Sequence, residues 1–505
     1  MLIHTGINLS PLEQLLTQGG DARIALDNEG YNKYGCGIVP DSIALAYGSA
    51  TASTISAMAR SAASEVYQQL ESAHDQASLY VLVENEFERA RQELRQLCGL
   101  TGDKADAALA ETDIVFAASG TDLHLIAAQL LALPGKQDTP MLIIMVEPGE
   151  TGSSVPAALS GHHFSQRTAL GVTVSAGDKM LGARPTELGS IAIRDVQGRA
   201  RNATEVDAEI KALVDTAISQ QKQVMLVLAD VSKTGMLAPS INLALGLQQQ
   251  YPTQFKVLVD ACQFRLSNAS VHGYLRQGCM VAVTGSKFVS GPSFSGALLI
   301  PQRIASELRQ LPLPQALQAY CSRADWPSHW PGAAHLHKHA NIGLLLRWVA
   351  ALAELRAFRQ LPDAAISDFV LQFGQAVQAY FQHQRILTLL PSSIPDRSAP
   401  KTGTTWDQLP TIFSFLLNDA SGQQLLRREQ TMQVYKRLQK EQHIQLGQPV
   451  AYGAHQQKPV SALRLCLSAR LIVAATAYPA TNADKIIDEA LQVLDRTAEL
   501  VSSLA

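Results

Sequence analysis

The middle of the chain alternates short, continuously apolar runs with longer segments of helical periodicity. The apolar runs are rich in Val, Ile and Leu at successive positions, as expected of strands that are covered on both faces. Alternation of such strands with helices predicts an α/β fold with a mostly parallel sheet between helical layers. The candidate strands are residues 113–118, 141–146, 224–229, 256–259, 280–284 and 296–300.

Three segments around these strands show the periodicity of helices. Residues 55–97 keep a continuous helical pattern ahead of the first strand. Residues 121–133 follow that strand directly and predict a helix that begins at its end. Residues 204–220 open with Thr204-x-x-Asp207, the spacing of a capping box, and predict a crossover helix between two strands.

Changes in this pattern divide the chain into three parts. The first part, residues 1–50, mixes Gly, Asn and Tyr and predicts an ordered but irregular N-terminal arm. Residues 51–311 contain the candidate strands and are expected to form a large domain. Residues 312–505 begin with a loop rich in Trp and His (325–341) and a helix (342–361). We expect this last part to be a linker helix followed by a small C-terminal domain.

Composition and charge limit the class of protein. Of 505 residues, 47% are hydrophobic and 17% are charged, as in ordinary globular proteins rather than disordered ones. A net charge of −3 gives no electrostatic reason to expect a nucleic acid or an anionic membrane as partner. No apolar run reaches the roughly 18 residues of a membrane helix, and the first ten residues lack the features of a signal peptide. The six cysteines form no CxxC pair and are typical of reduced thiols, so we expect a cytoplasmic protein.

A candidate anion site follows the first predicted strand. Ser119-Gly-Thr-Asp122 consists of small or hydrogen-bonding residues at the start of a predicted helix. Backbone amides and the helix dipole favour an anion at such a position, and Thr121 adds a hydroxyl donor. Taken alone, however, such a segment before a helix is usually an ordinary helix cap.

Two ionisable residues follow later strands. Asp260 ends an apolar run, where a carboxylate is costly to desolvate unless a cationic or protonated group meets it; capping the next helix is the alternative. Lys287 follows the small residues Thr284-Gly-Ser286, where burial would lower its pKa and make its amine nucleophilic; a solvated surface lysine is the alternative. One crossover unit separates Asp260 from Lys287, so we expect both at neighbouring strand ends, where open α/β sheets bind ligands.

Four motifs carry a resemblance to a known family. Val259-Asp-Ala-Cys-Gln263 looks like a Val-Asp-Ala-x-Gln strand end, and Thr284-Gly-Ser-Lys-Phe-x-x-Gly-Pro292 looks like a cofactor-lysine signature. The segment from Asp230 to Pro239 resembles an Asn-Asn-Glu-x-Gly loop, and Leu463-Arg-Leu-Cys-Leu-Ser468 resembles a strand with a carboxylate-binding arginine. Together they resemble the class V aminotransferase and cysteine desulfurase family of pyridoxal 5′-phosphate (PLP) enzymes of fold type I. The resemblance implies an aspartate-aminotransferase-like large domain and a smaller α+β C-terminal domain.

The resemblance also implies a role for each matching residue. Lys287 would hold PLP as a Schiff base and move protons, and Asp260 would pair with the pyridinium nitrogen. Gln263 would lie near the ring O3′. Arg464 would clamp the substrate carboxylate in bidentate fashion, with Arg470 as a weaker competitor. Thr121, Thr284 and Ser286 would contact the phosphate, and Gly120 would also belong to the cofactor site.

The sequence departs from the family in two places. The family commonly has a histidine after the strand equivalent to 141–146, stacked on the cofactor ring, but residues 147–154 contain neither histidine nor aromatic side chains. Glu150 and Thr151 could serve a different purpose there. The residues that could replace the missing histidine are His124, His162 and His163. Residues 397–408, the expected equivalent of the mobile desulfurase loop, contain no cysteine, so we do not expect persulfide chemistry.

The loop at residues 325–341 has two further interpretations. Four of its residues, His329, His335, His337 and His339, are histidines, but their spacing does not match helix-based metal ligands, so we expect no metal site. In the family this stretch borders the cofactor of the opposite subunit. Two tryptophans in the loop, Trp326 and Trp330, are of a residue type enriched at interfaces, which favours a homodimer with shared active sites. The alternative is that the loop only covers its own domain.

The sequence therefore predicts a PLP-dependent enzyme that acts at Cα of an amino acid or related amine. Transamination is the preferred reaction because the site would have an acid–base lysine, a carboxylate clamp and no desulfurase cysteine. A lyase that eliminates at Cβ is the nearest alternative, followed by a decarboxylase. A non-catalytic PLP-binding protein is a further alternative, although no helix-turn-helix precedes the fold.

Overall fold

Two β-sheets organise the chain in the computed structural model, which describes residues 9–102, 106–132, 140–400, 403–476 and 481–503. The strands are β1 (Leu45–Tyr47), β2 (Asp113–Ala117), β3 (Met141–Val146), β4 (Thr186–Ile191), β5 (Val224–Ala229), β6 (Phe255–Ala261), β7 (Met280–Thr284), β8 (Gly296–Ile300), β9 (Leu387–Leu389), β10 (Ile412–Leu417), β11 (Ile444–His455) and β12 (Lys458–Cys466). Strands β2 to β8 form one sheet, and β1 with β9 to β12 form the other.

The large sheet has the mostly parallel arrangement predicted from the sequence. Its strand order is β2-β8-β7-β6-β5-β3-β4, and the antiparallel pairings are those of β8 with β2 and β7. All six predicted strands are present, with ends within two residues of the expected ones. The sequence pattern missed β4, because this edge strand is half exposed and has no continuous apolar run.

Helices cover both faces of this sheet, and the strand side chains alternate between two buried clusters. Ile114 and Phe116 of β2 face one cluster, whereas Val115 and Ala117 face the other. The helices are α1 (Leu12–Leu16), α2 (Ala57–Glu71), α3 (Gln76–Leu97), α4 (Ala107–Ala110), α5 (Gly120–Leu131), α6 (Val155–Leu159), α7 (Ala203–Ser219), α8 (Ile241–Gln250), α9 (Asn268–Arg276), α10 (Gln302–Leu308), α11 (Ile342–Arg359), α12 (Asp363–Gln382), α13 (Arg428–Gln442), α14 (Ala469–Thr476) and α15 (Thr481–Ser502).

Two helix predictions differ from the structure, one in the number of helices and one in the residue that caps the helix. The pattern over 55–97 is two helices, α2 and α3, because Asp75 starts a new helix by accepting a hydrogen bond from the amide of Ser78. The predicted capping box of α7 is wrong. Asn202 caps this helix by accepting from the amide of Thr204, and Asp207 instead accepts from the amide of Ser240.

The small sheet joins the two ends of the chain. Its order is β1-β11-β12-β10-β9, and β1 pairs in parallel with β11. Strand β1 comes from the predicted N-terminal arm, where buried Tyr47 donates a hydrogen bond to the carbonyl oxygen of Ile486 at 2.9 Å. The arm therefore contributes a strand to the sheet that also carries Arg464 on β12. The first eight residues, where a signal peptide was not expected, lie outside the described residues.

The two tryptophans of the loop at residues 325–341 lie in the interior of the chain. Trp326 and Trp330 are fully buried within the chain, with ring centroids 5.1 Å apart. The indole of Trp330 donates to Asp113 Oδ2 at 2.5 Å, and His329 lies 2.7 Å from the other oxygen of that carboxylate. The two tryptophans therefore belong to the buried cluster on one face of the large sheet, and they give no support to a subunit interface. Among the described residues no cluster of potential metal ligands is present, at this loop or elsewhere.

The described helices include none that combines the length and the apolar character required to cross a bilayer. All six cysteines are buried and unpaired.

Candidate active site

A cavity of about 530 Å³ lies where the parallel strands of the large sheet end. Its size is typical of small-molecule sites, and its position is that of ligand sites in open α/β sheets. The arm and the small sheet form the opposite wall, through Arg23, Tyr34, Thr51 and Gln448 among others. All the site residues predicted from the sequence line this one cavity: Gly120, Thr121, Asp260, Gln263, Thr284, Ser286, Lys287 and Arg464.

One end of the cavity is formed by the N-terminus of α5. Ser119 caps this helix, and the first-turn amides of Gly120 and Thr121 have no partner within the helix. A side chain at Gly120 would put its Cβ 2.8 Å from the sulfur of Cys262, so glycine is required for α5 to approach the end of β6. The hydroxyl of Thr284 donates to the carbonyl oxygen of Cys262 at 2.6 Å, which fixes the end of β7 beside it.

An arginine from the arm reaches the same end. Arg23 is held by Asp21 and by the ring of Phe294, and its Nη2 lies 3.4 Å from the hydroxyl of Thr121. Sequence reasoning missed Arg23, because no sequence signal connects the arm to α5. A salt-bridged cation beside free helix amides makes this end suitable for an anion.

Asp260 projects from β6 towards α5. Val257 and Val259 belong to one buried cluster and Leu258 to the other, so alternation directs Asp260 to the α5 side of the sheet. Its Oδ2 lies 3.3 Å from Nε2 of buried His124, and its Oδ1 accepts from the amide of Cys262 at 3.1 Å.

The neighbours of Asp260 and His124 favour the charged form of both side chains. Burial alone would raise the pKa of Asp260, but His124 and Lys287 hold it well below its usual value. Burial likewise opposes charge on His124, yet the carboxylate of Asp260 raises the pKa of that imidazole. Asp260 is therefore an ionised carboxylate at the base of the cavity.

Lys287 lies in a tight turn between β7 and β8. A Cβ on Gly285 or on Gly291 would lie 2.5 Å from the side chain of Ala351 in α11, so this turn packs closely against a buried helix. The amide of Ser290 donates to the carbonyl oxygen of Lys287 at 2.9 Å and closes the turn. Gln263 lies nearby but donates from its Nε2 to the carbonyl oxygen of Ala50 in the arm, at 3.0 Å.

Arg464 lines the cavity from β12. Its Nη1 donates to the carbonyl oxygen of Lys233 at 3.1 Å, and its Nη2 donates to Thr51 Oγ1 at 2.9 Å and to the carbonyl oxygen of Gln448 at 2.7 Å. Its Nε is buried and has no hydrogen-bond partner among the described residues. Arg470, the competing candidate, pairs with Glu354 at 2.7 Å and does not line the cavity.

The loop after β3 contains no replacement for the missing histidine. Glu150 accepts hydrogen bonds from Ser232 Oγ and Thr234 Oγ1 at 2.6 Å and from Arg194 Nε at 2.5 Å. Burial opposes its charge, but Arg194 and the two hydroxyls hold the pKa of Glu150 below its usual value. Glu150 therefore joins the β3 loop to residues 230–239.

The three histidines considered from the sequence also differ in position. His124 lies beside Asp260, as described above. His163 contacts the hydroxyl of Tyr320 at 2.8 Å, and neither His162 nor His163 lines the cavity.

A second lysine, Lys233, faces the cavity from residues 230–239. Its Nζ lies 3.4 Å and 3.3 Å from the carbonyl oxygens of Pro148 and Gly149. Burial, together with the charges of Arg464 and Lys287, lowers its pKa to about 8. Sequence reasoning noted this segment only as a family loop and missed the lysine.

The described part of residues 397–408 is anchored in the interior. Arg397 forms an ion pair with Asp230 in which both side chains are fully buried, and Asp407 accepts from the amide of Ser267 at 2.7 Å. The cavity cysteine is instead Cys262, whose pKa burial raises well above its usual value. The anchored segment does not resemble the mobile loop of a desulfurase, and the buried Cys262 does not resemble its reactive thiol.

Comparison with known proteins adds information about the fold. No protein-family model and no curated protein matches the sequence. The cystine C-S lyase C-DES, in complex with its product cysteine persulfide, matches with a TM-score of 0.55 at 12% identity, over 91% of this chain and 98% of the other. A lysine-to-alanine variant of C-DES, with glycine covalently linked to its PLP cofactor, has a TM-score of 0.55 at 13% identity over 90% and 99%. The cysteine desulfurase CsdA from Escherichia coli has a TM-score of 0.51 at 15% identity over 91% and 95%.

The chain has a fold type I architecture. The coverage of both chains extends this likeness over the large and small domains, as the sequence resemblance implied. At 12–15% identity the likeness establishes the fold, not the reaction.

Proposed function

We propose that this protein is a PLP-dependent enzyme that acts at Cα of an amino acid. The observation that carries the proposal is the presence of Lys287, an ionised Asp260 and a helix N-terminus on the wall of one cavity. A primary amine, a buried anion and an anion-binding end are the three features that PLP requires of a fold type I site.

The groups that line the cavity suit the charges of PLP. The unpaired amides of Gly120 and Thr121 suit the phosphate, and the approach of α5 to Cys262 depends on the missing Cβ at Gly120. Buried Asp260 suits a protonated ring nitrogen, since it is an ionised carboxylate that also lines the cavity.

PLP, when bound, withdraws electrons from the bonds at Cα of an amino acid. Lys287 would provide the amine for covalent attachment, and the same amine can accept a proton from Cα and return it. Asp260, kept ionised by His124, would hold a proton on the ring nitrogen. Arg464 would bind the substrate carboxylate from the cavity wall and so orient the bonds at Cα.

Transamination is the reaction we prefer, because the cavity offers an acid–base lysine and a carboxylate clamp without a reactive thiol. Elimination at Cβ is the second candidate. It is supported by the likeness to C-DES, which is described as a cystine C-S lyase.

Titration of the PLP-loaded protein with pools of amino acids tests the proposal. Conversion of the cofactor to pyridoxamine phosphate would indicate transamination. Release of a keto or unsaturated product without that conversion would indicate elimination. A purified protein that takes up no PLP would contradict the proposed function altogether.

We also propose a homodimer, on the strength of the family resemblance and the frequency of twofold symmetry among soluble oligomers. Light scattering on the PLP-loaded protein tests this directly. A monomer at micromolar concentration would contradict it.

A further inference from the structure

The cavity wall has more positive than negative charge. In the described part of the chain it includes six basic side chains, Arg23, Lys33, Lys233, Lys287, Arg428 and Arg464, and two carboxylates, Glu150 and Asp260. Glu150 is already neutralised by Arg194, and Asp260 lies against His124. The carboxylates therefore do not balance the basic groups that remain.

PLP accounts for only one end of this positive cavity. Its phosphate would lie at the N-terminus of α5, where Arg23 is already paired with Asp21 at 2.5 Å. Lys287 would be consumed by covalent attachment. The cations left over are Lys233 and Arg464 inside the cavity and the exposed Lys33 and Arg428 at its mouth.

Among these cations, Lys233 is notable for the absence of an acidic partner. No carboxylate lies within 4 Å of its Nζ in the described structure, and its contacts are two neutral carbonyl oxygens at 3.3 and 3.4 Å. A half-buried ammonium without a carboxylate partner leaves positive charge on the cavity wall, and an anionic ligand would neutralise that charge.

Arg464 is the second cation that remains inside the cavity. It lines the cavity but is only 2% exposed, and no carboxylate lies within ion-pair distance of its guanidinium among the described residues. Its Nη1 lies 3.1 Å from the backbone oxygen of Lys233, so the two residues are neighbours. Both side chains line the same cavity, and the charge of Arg464 acts on the Lys233 amine, so a ligand bound at Arg464 also lies near the Lys233 ammonium.

We infer that the substrate is an amino acid with a second acidic group on its side chain, whose α-carboxylate binds Arg464 and whose side-chain carboxylate binds Lys233. This inference deepens the proposed function and rests on it. A carboxylate suits Lys233 better than a phosphate, because the described surroundings of its Nζ are carbonyl oxygens rather than the amides and hydroxyls found at the α5 end. Lys33 and Arg428 at the mouth would attract such a dianion from solution.

Calorimetric titration with unreactive acids tests the inference. Glutarate and butyrate differ by the second carboxylate, and we expect the PLP-loaded protein to bind glutarate about tenfold more tightly, as one partly desolvated charge pair provides. Lys233→Met should remove this preference while leaving butyrate affinity unchanged, and Lys233→Arg should retain it. Lys33→Met is the matched control, because it removes an exposed lysine at the mouth and should change the preference by less than about threefold.

The pH dependence of the preference provides a second readout. Lys233 must be protonated to bind a carboxylate, so glutarate affinity should fall as pH rises above about 8, where this amine loses its proton in the free protein. The charged groups that face it are Arg464, Lys287, Glu150 and Asp260. The fall should be absent in Lys233→Met, which retains those four groups.

Three results would overturn the inference. One is an unchanged preference in a Lys233→Met protein that still loads PLP, and another is equal affinity of the unmodified protein for glutarate and butyrate. The third is tighter binding of 3-phosphonopropionate, which like glutarate has no amine, than of any dicarboxylate, which would assign a phosphate to Lys233. Failure to load PLP is scored separately by visible absorbance, and it contradicts the proposed function rather than the anion preference.

Discussion

Replacing Asp122 with asparagine should stabilise the protein at neutral and alkaline pH. Asp122 lies in the first turn of α5, is 1% exposed, and accepts a hydrogen bond from Ser119 Oγ at 2.5 Å. Its second oxygen has no partner among the described residues. Burial and the nearby carboxylate of Asp21 raise its pKa to about 7, although Ser119 and Arg23 partly oppose this.

The expected magnitude follows from the pKa shift. A rise from 3.8 to about 7 is about 3 pH units, and each unit corresponds to about 1.4 kcal/mol. Because the folded state binds the proton more tightly, this carboxyl makes the protein less stable as pH rises from 3.8 to about 7. Asparagine has the same shape and can keep the bond from Ser119 but cannot ionise. The variant should therefore equal the parent near pH 4 and exceed it by about 4 kcal/mol above pH 7.

Urea unfolding from pH 4 to pH 8, in buffers without phosphate, measures this difference. Asp488→Asn, a substitution of an exposed carboxylate on α15, is the matched control and should behave like the parent throughout. A stabilisation by Asp122→Asn that does not depend on pH, or a variant less stable than the parent at pH 8, would refute the reasoning.

Two further substitutions test the proposed PLP site. Asp260→Asn should still bind PLP but lose most activity, because the amide cannot keep the ring nitrogen protonated; near-normal turnover would mean that this nitrogen has another partner. Gly120→Ala should weaken PLP binding in an absorbance titration, because the new Cβ would lie 2.8 Å from the sulfur of Cys262. A second change, Cys262→Gly, should restore the binding by removing that sulfur, and no loss in the single variant would contradict the packing argument.

The strands and the strand-end residues were predictable from the sequence. Buried parallel strands require continuous apolar runs, and β3, β5 and β7 have the expected bounds. Asp260 and Lys287 could be expected at neighbouring strand ends, because polar residues directly after such runs point into the ligand crevice.

Some residues reach the cavity only because distant parts of the sequence come together in the fold. These residues were not predictable. Arg23 and Thr51 reach the cavity only because the arm folds back over it, and β1 pairs with a strand some 400 residues later (Leu45 with Ile444). The tryptophans of the 325–341 loop suggested an interface, yet Trp330 bonds to Asp113 inside the large domain. Composition cannot distinguish these two environments for a large aromatic residue.

The central claim is tested most directly by locating the lysine that binds PLP. The PLP-loaded protein is reduced with borohydride, digested and mapped by mass spectrometry, in parallel with Lys287→Ala and Lys233→Ala. We predict a pyridoxyl group on Lys287 in the parent and in Lys233→Ala, and none at any lysine of Lys287→Ala, which should remain folded. A pyridoxyl group on Lys233 or another lysine of the parent protein would contradict the account.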